Sequence, residues 1–113
     1  MVHVNVGTAN GMNGLLNAAR GHVPVLFTAG RTPTNEDGLA GHRSLDIHWT
    51  QEMFDQAGML RESVKWDYEL RNGQQLETVV DRALTNAKRK PMGPESVSLQ
   101  REMLSETMAE NNY

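Results

Sequence analysis

Val2-His3-Val4-Asn5-Val6-Gly7-Thr8-Ala9-Asn10-Gly11, continuing through Met12 to Arg20, is the stretch on which the fold turns. Val2, Val4 and Val6 alternate with His3 and Asn5, a period of two that predicts a strand. Gly7 and Gly11 bracket Thr8 and Asn10, and a Leu- and Ala-rich helix is predicted from about Met12, capped by Asn10 or Asn13. A strand, a glycine-bearing turn and a helix N-terminus together make a common site for a polar ligand. Free backbone N–H groups and the positive end of the helix dipole face outward there. The plainer alternative is that the two glycines only let the chain turn sharply.

Working outward, Gly21 stops the helix, and Val23-Pro24-Val25-Leu26-Phe27-Thr28-Ala29 is a nearly continuous apolar run. It predicts a strand covered on both faces, with Pro24 tolerated only near its start. Strand, helix and strand with short joins predict a parallel sheet. Gly30 to Leu45 is predicted as a loop that meets a ligand or a partner. Asp46 is placed to cap a helix over His48–Ala57, ended by Gly58, with Trp49, Met53, Phe54 and Ala57 at helical spacing. Ser63–Leu70 alternates as a strand, turning Val64, Trp66, Tyr68 and Leu70 one way and Lys65, Asp67 and Glu69 the other.

The clearest helix runs over Gln74–Lys88, where Leu76, Val79, Val80, Ala83, Leu84 and Ala87 keep one apolar face. After Gly93-Pro94, Glu95–Leu99 is expected to be a last short strand with Val97 and Leu99 on one face, followed by a helical or frayed tail. The alternative is a terminal helix opened by Pro94, with Leu104 and Met108 on one side. The expected fold is therefore α/β, a partial parallel sheet of three to four strands flanked by helices. Residues 1–104 form the domain and 105–113 a tail.

A charge of −3 from 14 acidic and 11 basic residues gives no broad attraction to nucleic acid. There is no cysteine for a disulfide, thiolate or cysteine zinc site. No apolar run approaches the ~20 residues that cross a bilayer, and a cytoplasmic location is expected. His42 and His48 are not spaced to share a helical face, so no metal site is expected. None of the serines sits in a glycine-flanked elbow, and no catalytic residue is assigned. Trp66 and Tyr68 read as packing residues. A small enzyme built on His42, His48 or Glu52 has no assembled constellation behind it.

Three separated patterns point to one family. They are Gly7-Thr8-Ala9-Asn10 with Gly14-Leu15 and Ala18-Ala19-Arg20, then Val23-Pro24-Val25-Leu26 running to Ala29-Gly30-Arg31-Thr32-Pro33. The third is Trp49-Thr50-Gln51-Glu52-Met53-Phe54-Asp55-Gln56 with Lys65-Trp66-Asp67-Tyr68-Glu69-Leu70. Together they resemble the pyrimidine-binding domain of thiamine-diphosphate-dependent enzymes, in particular acetolactate-synthase-like members, over about Val2 to Leu104.

The resemblance implies that Gly7, Thr8, Ala9 and Asn10 lie against the cofactor's aminopyrimidine ring. It also implies that Gln51, with His48 beside it, lies near the substrate cleft. The family's activating glutamate is expected upstream of the residues here, and its Mg²⁺- and diphosphate-binding domain has no counterpart in them. Glu95 and Gln100 depart from the family's usual valine and proline. The expectation is a fragment of a lyase or transferase acting on 2-keto acids, holding part of the cofactor site and not catalytic alone. The alternative is a free-standing oligomeric interaction protein with no cofactor. An exposed sheet edge is expected to drive homodimerisation.

Overall fold

A computed structural model describes residues 1–107. Its helices are α1 (Val4–Arg20), α2 (Ile47–Thr50), α3 (Leu76–Lys88) and α4 (Arg101–Leu104), and its strands are β1 (Leu26–Arg31), β2 (Asp67–Leu70) and β3 (Glu95–Gln100). Single 3₁₀ turns at Ala57–Leu60 and Gly73–Gln75 complete the regular structure. The sheet has the order β1-β3-β2 and both pairings are parallel.

Side-chain alternation fixes the layers. Val97 and Leu99 of β3 and Leu70 of β2 meet Val79 and Ala83 of α3 in the core, with Leu26, Trp66 and Tyr68 at its margin. The amphipathic stripe of α3 is thus used as its spacing predicts, and the Asn72 side chain accepts from the Gln74 N–H at its start. Trp66 and Tyr68 stack on each other, centroids 5.4 Å apart. The other face carries Phe27, Ala29, Ser96 and Ser98. It lies under α1, where the ring of Phe27 comes so close that a Cβ on Gly11 would stand 2.7 Å from it.

The opening segment departs most from its expected form. Val2 makes only an isolated parallel bridge to Ala29, with Val2 N–H to Thr28 O at 2.8 Å and Gly30 N–H to Val2 O at 2.9 Å. The chain then turns at Val4, φ 38°, and is helical at once. Gly7 to Gly11 are therefore helix interior, and neither Asn10 nor Asn13 caps anything. Val4, Thr8 and Leu15 are buried while Val6 is exposed. That is the 3.6 period of a helix, which three alternating valines had masked.

Smaller corrections follow the same logic. The second strand begins at Leu26 and not at Val23, since Val23 and Pro24 are exposed, and it continues through Gly30 and Arg31. The helix expected over His48–Ala57 stops after one turn, and the Asp46 side chain makes no cap bond. The carbonyl of Met53 is claimed by Arg31 at 3.1 Å, and Phe54 is wholly exposed. The strand over Ser63–Leu70 is regular only from Asp67, although Lys65 N–H still reaches Pro94 O at 2.9 Å. The last strand forms as favoured, and a single helical turn follows it; Met108 lies outside the described residues.

That last turn works as a clasp. Glu102 is buried and accepts from the backbone N–H groups of Thr34 and Asn35, each at 2.8 Å. Glu106 accepts from Gly73 N–H at 2.8 Å. Gly41 sits beneath the turn with φ 84°, and a Cβ there would lie 2.9 Å from Arg101 O. Gly41→Ala should therefore cost about 2–3 kcal/mol in urea unfolding, from strain and clash together. Gly38→Ala, at φ 85° in open space, should cost only ~1 kcal/mol. Equal losses would show that the clasp is not packed as described.

Candidate functional site

A cavity of about 580 Å³ opens where the bridge at Val2, the end of β1, α2 and α4 converge. Its apolar wall includes Val2, Val4, Pro33, Ile47 and Leu104, and its polar groups are His3, Arg31, His48, Gln51 and Arg101. Parallel pairing makes this position: all three strands point their C-terminal ends to the same side, the usual binding edge of an open α/β sheet.

A charged network braces the cavity from beneath. The Arg31 guanidinium pairs with Glu69 and, at 3.2 Å, with Glu52. Glu52 also pairs with Arg43 and accepts from the Thr32 hydroxyl at 3.0 Å. Gln100 donates to Glu69 at 2.7 Å, and the Arg43 guanidinium lies over the Trp49 ring, 5.6 Å from its centroid. Burial pulls the Arg31 pKa down, but the bonds and charges of Glu69 and Glu52 outweigh it and hold it above its usual value. Arg31 is thereby locked as a structural cation.

The expected site residues fall into two groups. His48 and Gln51 both line the cavity, on and just after α2. Gly7, Thr8, Ala9 and Asn10 occupy the first turns of α1, and none of them lines the cavity. Gly7 packs on Val2, with a Cβ there 3.2 Å from the valine Cβ. Thr8 is buried, donating to Val4 O at 2.7 Å and accepting from Gln56 Nε2 at 3.0 Å; Ala9 and Asn10 are exposed. Two contributors escaped sequence reasoning. Gln56 is buried and also donates to Gly30 O at 3.0 Å, joining α1 to β1. Arg101 reaches the cavity only because β3 delivers α4 to it.

The sequence pattern of the thiamine pyrophosphate enzyme N-terminal TPP-binding domain matches residues 1–59. The chain belongs to that family. This thiamine pyrophosphate enzyme domain is similar in structure to a benzoylformate decarboxylase from Polynucleobacter necessarius, at TM-score 0.76 and 25% identity over 96% of the chain. It is also similar to a thiamin diphosphate-dependent enzyme from Mycobacterium smegmatis described as putative, at TM-score 0.70 and 26% identity over 90% of the chain. The chain spans about a fifth of the length of those proteins, 19% and 18%.

The residues fit the cofactor at one end only. An apolar-walled cavity edged by His3 and Gln51 suits a flat heteroaromatic ring with polar substituents. Among the described residues no three His, Asp or Glu side chains converge as metal ligands, so the fit concerns the ring and not the Mg²⁺-diphosphate end. No described helix is long and apolar enough to cross a membrane.

Proposed function

We propose that this domain forms one wall of a thiamine-diphosphate-dependent active site acting on 2-keto acids, in a cytoplasmic lyase or transferase of the acetolactate-synthase or decarboxylase kind. The observation that carries it is that three parts of the family-matched segment line the cavity: Val2 to Val4, Gly30 to Pro33, and Ile47, His48 and Gln51. Gly7 and Thr8 set how closely α1 seats on Val2 and β1, and the exposed Ala9 and Asn10, which do not line the cavity, meet the aminopyrimidine from outside that wall. Gln51 and His48 face the substrate side of the same cavity. When bound, the cofactor supplies the nucleophilic carbon and electron sink for chemistry beside a carbonyl. This chain's residues position it and exclude water, and they are not catalytic alone.

Titrating thiamine diphosphate with Mg²⁺ into the ¹⁵N-labelled chain should shift the amides of Ala9, Asn10 and Gln51, while pyruvate is not consumed. No shift in a folded chain would overturn the cofactor role. Cofactor-dependent loss of pyruvate would overturn the claim that the chain is inactive alone.

A second reading, a cofactor-free oligomeric module, is favoured by one observation. Phe54 is fully exposed beside the outer edge of β2, an edge with no partner strand among the described residues. Sedimentation should then show a dimer through that edge, and Phe54→Ser should weaken it about tenfold or more, as expected for burying a phenyl ring. A monomer for both chains would remove this reading.

A further inference from the structure

His48 is held in a way that leaves a donor without an acceptor. The backbone N–H of Ser44 points at its Nδ1 at 3.1 Å, and Arg101 Nη1 stands 3.2 Å from its Nε2. A guanidinium only donates, a backbone N–H only donates, and a neutral imidazole has one N–H and one lone pair. The fixed Ser44 amide claims the lone pair of Nδ1, which places the ring proton on Nε2. Two N–H donors then face each other across 3.2 Å on the wall of the cavity. An acceptor bearing negative charge resolves the conflict by taking a bond from each.

The neighbourhood narrows what that acceptor is. Among the described residues Arg101 has no carboxylate partner, whereas both terminal nitrogens of Arg31 in the same cavity are paired with Glu69 and Glu52. The adjoining surface is apolar, formed by Val2, Val4, Ile47 and Leu104. One guanidinium and one imidazole N–H suit a single carboxylate better than a phosphate dianion, which needs more donors.

We propose that His48 and Arg101 form a carboxylate-binding subsite that takes small monocarboxylic acids with their apolar bodies against Ile47 and Leu104. It rests on the cavity being a ligand site, as above, but its readout needs no thiamine diphosphate. Failure of cofactor binding and failure of this subsite are therefore separate results.

The test is an NMR titration of the full chain with 3-methylbutanoate, its neutral amide 3-methylbutanamide, and inorganic phosphate. The acid should shift the Ser44 amide and the His48 ring nitrogens saturably, with Nε2 protonated in the free chain. The amide and phosphate should bind at least about tenfold more weakly, the factor expected for losing a charge-assisted pair. Arg101→Gln and His48→Gln should each weaken the acid about tenfold or more, while Arg61→Gln, outside the cavity, leaves it unchanged. Equal binding of acid and amide overturns the proposal. So does phosphate binding as tight as the acid, or full affinity in the folded Arg101→Gln chain.

Discussion

Replacing Gln56 with alanine should lower the unfolding free energy by about 3–4 kcal/mol, a large part of what a domain of this size has. The side chain is 2% exposed and its amide donates to both Thr8 Oγ1 and Gly30 O. Truncation removes both donors from groups that water cannot reach and leaves a void between α1 and the sheet. Gln56→Leu separates the two causes, since it fills most of the space but donates nothing, and should cost about 2 kcal/mol. Urea unfolding of the three chains measures both differences. A Gln56→Leu chain as stable as the parent would show that the amide bonds do not hold α1 to β1. Because α1 also sets the wall at Val4, both variants should broaden the amide signals of the cavity before the chain unfolds globally.

Glu95→Val should act in the opposite direction, raising stability at pH 7 by about 2 kcal/mol, or the melting temperature by roughly 10 °C. Glu95 is 0% exposed at the start of β3, and among the described residues neither carboxylate oxygen has a hydrogen-bond partner of good geometry. Burial pushes its pKa up, and the charge of Lys65 and the nearby Trp66 backbone N–H, too poorly aligned to make a full bond, oppose this only in part. The folded chain therefore keeps the proton to a higher pH than the unfolded chain. Stability falls as pH rises from the unfolded value, about 4.3, through the raised folded value, and stays low above it.

The advantage of Glu95→Val should accordingly be greatest at neutral pH and shrink as pH drops toward that lower value. Thermal scans between pH 4.5 and 7.5 measure it, and an advantage independent of pH would refute the buried-charge account. Glu102 has the reverse sign. Burial alone would raise its pKa, but the bonds from Asn35 and Thr34 outweigh this and hold it below the usual range. Its stabilisation is full above the unfolded value and is lost as pH falls through the lowered folded value.

The residues that pack by periodicity were legible in the sequence, and those that act through backbone geometry were not. The stripe from Val79 to Ala87 and the strand face of Val97 and Leu99 follow from spacing alone. The first turn does not. Glycine marks where a chain can turn cheaply, so the turn was expected at Gly7, whereas it occurs at Val4. A β-branched residue at positive φ is costly there, of order 1–3 kcal/mol, and burial of the Val4 side chain against the cavity wall offsets it. The helix expected over His48–Ala57 failed for a related reason. Glu52 and the Met53 carbonyl are drawn off by Arg31 and Arg43, partners distant in sequence. Periodicity gave no reason to bring His48 and Gln51 to one cavity, and the residues the resemblance set against the cofactor ring, Gly7 to Asn10, lie outside its lining because they are helix interior. Arg101 stayed hidden because its relevance depends on the register of β3.

The clasp on α4 also fixes an order of assembly. The long connection after β1 has little regular structure of its own and gains its shape from Glu102, 67 residues beyond Asn35. Contacts that close so large a loop are slow to form and follow local structure on the folding pathway. The helical layers and the three strands can gather first, while the pocket's outer wall waits for the turn at Arg101–Leu104 to arrive.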